Sequence, residues 1–398
     1  MPIEAGLTQA ELVPTVPGRR TSRLPGLDLL RALAICWVML YHASQFGFIS
    51  GDHWLVAFGW MGVDLFFVLS GFLIAGQLLA PRLRGIEPDY RRFLVRRLLR
   101  TLPAYLAVVA LYFLLPGARE YDAIQPLWQF LSFSENLFIR VPPPKAFSHV
   151  WSLCVEEQFY LLFPVMVTLL SIKSSARKTV SAILAVLLAG IALRGMIWLH
   201  DLSPPGIGGD GFGPAYLERI YYPTWTRLDG LLAGIAAATF KTFRPGLWHR
   251  LTARPDLLLG AGVAGVGMSM LFFADRFTSL PLALFGFPLL SSSMALMVMA
   301  GSTRRSIIGR RSIPGAGAIA SIAYSLYLSH KIVFHTVADG AIPTLGHAPG
   351  IALATALACA LLAGCALYLL VERPFLKLRD RVGRGVRYTI PMPIPERS

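Results

Sequence analysis

Arg31 and His42 stand eleven residues apart in the run LDLLRALAICWVMLYHAS. On a helix that separation is about 16 Å along the axis and close to a whole number of turns, so both side chains lie on one face. A guanidinium grips anions through paired N–H donors, and an imidazole titrates near neutrality. The pair could therefore hold an anionic ligand at one end and move a proton at the other. Spacing alone fits equally well an arginine snorkelling to lipid headgroups and a hydrogen-bonded core histidine. The stretch RRFLVRRLLRTLPAY adds Arg96, Arg97 and Arg100, at the three- and four-residue separations that make neighbours on a helix surface. They are candidates for binding phosphate, or for touching lipid headgroups.

Three carboxylates sit within apolar runs. Asp64 falls in GWMGVDLFFVLSGFLI, and Glu156 and Glu157 in SHVWSLCVEEQFYLLFP. An unpaired carboxylate in hydrocarbon is costly, so each must be neutral or paired. Adjacent helical residues point about 100° apart, so Glu156 and Glu157 face different neighbours. One could orient a catalytic histidine while the other pairs structurally, or either could pair with Arg194 or Arg227. The segment AIASIAYSLYLSHKIVFH lines up Tyr324, Tyr327, Lys331 and His335, with His330 beside the stripe. Aromatic packing and an interface anchor would explain that stripe as well.

These residues need elements to hold them. Of the 398 residues, 55% are hydrophobic and only 15% charged, against about 25% charged in a soluble domain. The chain is therefore expected to be an all-α integral membrane protein. Ten runs are apolar enough to span: 27–46, 54–80, 98–116, 150–171, 179–199, 224–240, 256–274, 279–300, 317–338 and 349–371. The net charge of +15 would suggest nucleic acid in a soluble protein, but here it reports topology. Twenty-seven of the 37 lysines and arginines fall in alternate loops and the two tails, five in the intervening loops and five inside spans. By the positive-inside rule both termini are cytoplasmic, and no nucleic-acid partner is expected. The expected division is a disordered cytoplasmic tail (1–24), one transmembrane domain (25–374) and a basic cytoplasmic tail (375–398), with no appended soluble domain. Cys36, Cys154, Cys359 and Cys365 all lie in apolar stretches and show no zinc spacing, so neither a metal nor a disulfide framework is expected.

Taken in order, the segments resemble the acyltransferase-3 family of integral-membrane O-acyltransferases. The resemblance rests on the Arg31/His42 pair, GVDLFFVLSGFLI, the arginines 96, 97 and 100, WSLCVEEQFYLLFP, TRLDGLLAG, AYSLYLSH and VERP, spanning 27–374. It implies transfer of an acyl group, usually acetyl, from cytoplasmic acyl-CoA to a hydroxyl of a glycan, a lipid-linked sugar or a glycosylated small molecule. No permanent cofactor is implied, and the expected location is a bacterial inner membrane. His42 would be the catalytic histidine, with Glu157 or Asp64 as its carboxylate partner. Arg31, Arg96, Arg97 and Arg100 would bind the coenzyme A phosphates. Trp151, Glu156, Tyr327 and His330 would shape the substrate site. Ala323 and Ser329 depart from the family's usual serine and tryptophan. The alternative class is a proton-coupled transporter or flippase of a glycan or drug. Against it stand the absence of an evident internal repeat and the arginine cluster, and a transporter has no reason to bind coenzyme A.

Overall fold

The computed structural model describes residues 24–82, 86–170, 176–202, 212–274, 279–345 and 348–382. Its main helices are α1 (Pro25–Gln45), α2 (Gly62–Arg82), α3 (Tyr90–Leu114), α4 (Trp151–Leu170), α5 (Ala176–Ile197), α6 (Asp229–Phe243), α7 (Pro255–Phe272), α8 (Leu280–Gly301), α9 (Ala316–Leu345), α10 (Pro349–Leu367) and α11 (Arg373–Val382). Among the described residues the extended pairing amounts to a lone bridge between Ile124 and Ala146. Among the described residues, eight helical segments are long and apolar enough to cross a bilayer. Each of the ten runs predicted to span coincides with a helix. The two outside the eight are α6, with 15 residues, and α9, which is 30 residues long but carries His330, Lys331 and His335. Residues 375–382, expected in the C-terminal tail, continue α11. The rest of that tail and residues 1–23 lie outside the described residues.

Helix starts follow local chemistry. Pro25, Pro255 and Pro349 open α1, α7 and α10, where the missing N–H costs nothing. The Asp89 carboxylate accepts from the Arg92 backbone N–H at 2.8 Å and caps α3, the helix that carries the arginine cluster.

Three packing relations position the site. Helix α2 lies backbone to backbone on α6: a Cβ added at Gly71 would run into the Leu231 carbonyl oxygen, and one at Gly234 into the Val68 carbonyl oxygen. Small residues at such crossings let two helices approach in an apolar medium, where contact itself drives association. Helix α9 packs against both α1 and α10, and α11 folds back onto α3. The buried Glu372 carboxylate, in VERP, accepts from the Ser325 hydroxyl at 2.7 Å and ties the turn between α10 and α11 to α9.

Two buried ion pairs brace the α2, α5 and α6 side. Arg227 Nη2 reaches both oxygens of Asp64 at 3.0 and 3.1 Å. Arg194 forms a two-pronged pair with Asp229 at 2.7 and 3.0 Å. Phe287, Tyr221 and Trp151 surround the Arg227 guanidinium at 3.8, 4.8 and 5.5 Å. The charges of TRLDGLLAG are thereby used up inside the scaffold, with its glycines set against α2.

Candidate active site

Three histidines from three separate segments meet between α1, α4 and α9. The ring centroids of His42 and His330 are 4.9 Å apart, those of His149 and His330 5.1 Å, and those of His42 and His149 6.0 Å. Their hydrogen bonds fix the tautomers. His330 Nδ1 faces the Leu326 carbonyl at 3.0 Å, and a carbonyl only accepts, so Nδ1 carries the proton. With both rings neutral, His330 Nε2 is an acceptor, and the 2.8 Å contact with His42 Nδ1 is a donation from His42. That leaves the lone pair of His42 on Nε2. A neutral histidine thus holds His42 in the tautomer a general base needs, the job a carboxylate does in a serine-protease triad. His149 is oriented likewise, its Nε2 donating to the Tyr327 carbonyl at 3.1 Å.

A cavity of about 700 Å³ reaches toward this cluster as far as Ser152 and Tyr327, with none of the three histidines in its wall. Arg92, Arg96, Arg97 and Arg100 of α3, Arg31 of α1 and Arg379 of α11 contribute to its wall, and Ser152, Tyr324 and Tyr327 line it deeper. Arg31 is partly offset by Asp28 at 3.5 Å, one turn before it. Among the described residues, neither Arg97 nor Arg100 has a carboxylate at ion-pair distance, although Arg97 lies 4.8 Å from the centre of the Tyr160 ring. Cations this close without matching anions favour a multiply charged anion. Glu156 also lines the cavity, accepting from the Ser70 and Tyr160 hydroxyls at 2.7 and 2.9 Å. At the inner end the Ser152 and Tyr327 hydroxyls are 2.7 Å apart, and Tyr327 donates to the His149 carbonyl at 2.6 Å. The wall that closes the cavity is thus bonded to the histidine cluster.

The loop between α3 and α4 covers the cluster on its other side. Glu120 accepts from Lys331 at 3.1 Å and from the Phe147 N–H at 2.9 Å, linking the neighbour of His330 to a residue two before His149. Burial alone would raise the Glu120 carboxyl, but Lys331 and the backbone N–H groups hold it below the usual carboxylate range. Glu135 is fully buried with neither oxygen hydrogen-bonded. Burial pushes its carboxyl well above the usual range, with Lys331 opposing. Its neighbour Asn136 is pinned by Tyr222, Thr224 and Gln158.

Comparison with known proteins decides the family. A family model described as an acyltransferase domain matches residues 24–370. The chain belongs to the acyltransferase-3 family. It is 33% identical over 268 residues to the O-acetyltransferase OatA of Staphylococcus aureus, covering 63% of this chain and 40% of that protein. Against the putative peptidoglycan O-acetyltransferase YrhL of Bacillus subtilis the values are 36% over 230 residues, 54% and 33%. Against the peptidoglycan O-acetyltransferase OatA of Listeria monocytogenes they are 32% over 240 residues, 55% and 35%. The chain therefore spans well under half the length of these relatives. No solved structure matches it. With this family and these helices, the chain is a multi-pass integral membrane protein.

Within this acyltransferase-3 domain, the residues singled out from sequence fall into three places. Arg31, Arg96, Arg97 and Arg100 share the cavity wall with Glu156 and Tyr327. His42 and His330 are bonded to each other. Asp64 and Trp151 belong to the buried assembly around Arg227, and Trp151 packs on Phe67, Tyr221 and Tyr222 at 4.9 to 6.0 Å. The carboxylate expected against His42 is neither Asp64 nor Glu157. Arg227 takes both Asp64 oxygens, and Glu157 lies buried with the Thr101 hydroxyl beside it. His330 fills the position because the α1 and α9 contact aims it there. Sequence reasoning did not single out Ser152, His149, Glu120, Glu135 or Arg379, which the structure places at the cavity or around the histidine cluster. Glu120 and Glu135 lie in a loop, where a carboxylate gives no sign of being buried. Arg379 looked like one more basic tail residue.

Proposed function

We propose that the chain is an O-acyltransferase that takes an acyl group, acetyl in the simplest case, from acyl-CoA and transfers it to a hydroxyl of a carbohydrate-containing acceptor. The observation that carries the donor half is the arginine-lined cavity whose inner end is bonded to the histidine cluster. Its basic mouth suits the phosphates of coenzyme A. Its deeper wall, with Phe66, Phe67 and Leu69, suits the pantetheine arm. The acceptor half is supported by the names of the relatives, which are O-acetyltransferases, two of them named for peptidoglycan. The positive-inside count puts the cavity mouth on the cytoplasmic side, so the acyl group crosses toward the other face while the donor stays behind.

In this reading His42 Nε2 takes the proton of the acceptor hydroxyl as its oxygen attacks the thioester carbonyl. The new C–O bond forms, the C–S bond breaks, and the proton passes from His42 to the departing thiolate. His330 accepts from His42 Nδ1 throughout and keeps Nε2 free. Ser152 and Tyr327, at the inner end of the cavity, would border the thioester.

Acetyl-CoA binding and slow hydrolysis by the purified protein in detergent test the donor without an acceptor. Hydrogen bonds from charged groups contribute about 1.5–3 kcal/mol each, so Arg97→Ala with Arg100→Ala should weaken binding at least about tenfold. His42→Ala should stop hydrolysis with binding retained. A folded wild type that does not bind acetyl-CoA overturns the donor assignment and returns the transporter class.

A further inference from the structure

We propose that α11 completes the donor site: Arg379 binds the ribose 3′-phosphate of coenzyme A, and Asp380 competes with that phosphate as a built-in counter-anion. The inference rests on the reading of the cavity as a coenzyme A site.

The family match ends at residue 370, and α11 begins at Arg373. The helix nevertheless lies on α3, and Arg379 lines the cavity beside the arginines of α3. The contact is specific. Arg96 Nη1 donates to the Arg379 carbonyl at 3.5 Å, and Asp380 Oδ1 is shared by Arg379 Nη2 and Nε at 2.8 and 3.0 Å and by Arg96 Nη2 at 4.0 Å. A single carboxylate oxygen therefore sits between two guanidinium groups that line the cavity, where a phosphate oxygen would have the same partners. Asp89, the other acid at the mouth, is committed to capping α3.

Spacing assigns which phosphate. Arg96 and Arg100 are one turn apart on α3, about 6 Å of axis: Arg97 and Arg100 with Arg31 form a deep group, and Arg96 with Arg379 of α11 an outer one. Coenzyme A carries its diphosphate next to the pantetheine arm and a separate phosphate on the ribose. With the arm pointing to Ser152 and Tyr327, the diphosphate meets the deep group and the ribose phosphate the outer one. A phosphate that takes the Nε and Nη2 edge of Arg379 displaces Asp380, since two anions cannot share one guanidinium edge at contact distance.

The experiment measures dissociation constants of coenzyme A and 3′-dephospho-coenzyme A for the full chain in detergent, as wild type, Arg379→Ala, Arg379→Lys and Asp380→Asn. Thermal unfolding of each variant checks that it is folded. Wild type should prefer coenzyme A by about tenfold or more. Arg379→Ala should weaken coenzyme A by a similar factor and leave the dephospho compound within twofold, with Arg379→Lys intermediate. Asp380→Asn should tighten coenzyme A several-fold and leave the dephospho compound unchanged. A purely structural Arg379 and Asp380 pair would make both variants weaken both ligands, and that result overturns the proposal. So does a wild type that binds coenzyme A but ignores the 3′-phosphate. A wild type that binds neither compound overturns the donor reading itself, and this inference with it.

Discussion

Replacing His330 by alanine tests the central geometric claim, that a neutral histidine positions His42. Besides ring packing at 4.9 Å, His330 makes one hydrogen bond with His42, 2.8 Å from Nε2 to Nδ1. Its removal leaves the His42 N–H inside the bundle without its acceptor and lets the ring exchange tautomers. The cost of an unpaired donor is about 1–3 kcal/mol, which converts to a fall in kcat of about 5- to 150-fold. That is smaller than the roughly 10⁴-fold loss when a triad carboxylate is neutralised, because His330 contributes no counter-charge. The assay is acetyl-CoA hydrolysis or transfer across pH, with kcat and KM separated. KM for the donor should change by less than twofold, since the arginines are untouched. His330→Gln, whose amide oxygen can accept in place of Nε2, should recover part of the loss. Should His330→Ala keep kcat within twofold of wild type, with the same pH profile, His330 does not position the base and the tautomer argument is refuted.

Two further outcomes test the scaffold. Asp64→Asn leaves the Arg227 charge buried without its counter-charge, a change of about 3–5 kcal/mol, so the variant should unfold at a clearly lower temperature in detergent. An unchanged midpoint would remove Asp64 from its bracing role and reopen it as a catalytic carboxylate. Glu135 has its folded-state pKa raised by burial, so the stability its protonated form contributes is present below the unfolded carboxylate value and lost as pH rises through the raised one. Glu135→Gln, neutral at every pH, should therefore gain stability over wild type at about pH 8 and match it near about pH 4. An equal gain at both values would mean that the carboxyl does not titrate in this way.

The class of the protein and its arginine cluster were legible without a structure, for local reasons. Hydropathy is a property of each run, and Arg96 and Arg100 fall on one side of α3 by helical period alone. The Arg31 and His42 separation likewise put both on one face, and α1 is an unbroken helix from Pro25 to Gln45. What the sequence could not determine is which faces meet. His42 and His330 are 288 positions apart, Asp64 and Arg227 163, and Arg96 and Arg379 283. Each pairing depends on how two helices are rotated about their axes, which is decided by close packing such as that of Gly71 and Gly234. A buried carboxylate must be neutral or paired, and sequence can say so; which of the two it is, and with which partner, is settled by packing alone. Tertiary structure moved Asp64 from chemistry to bracing, put His330 behind His42, and carried α11 from an apparent tail to the mouth of the cavity.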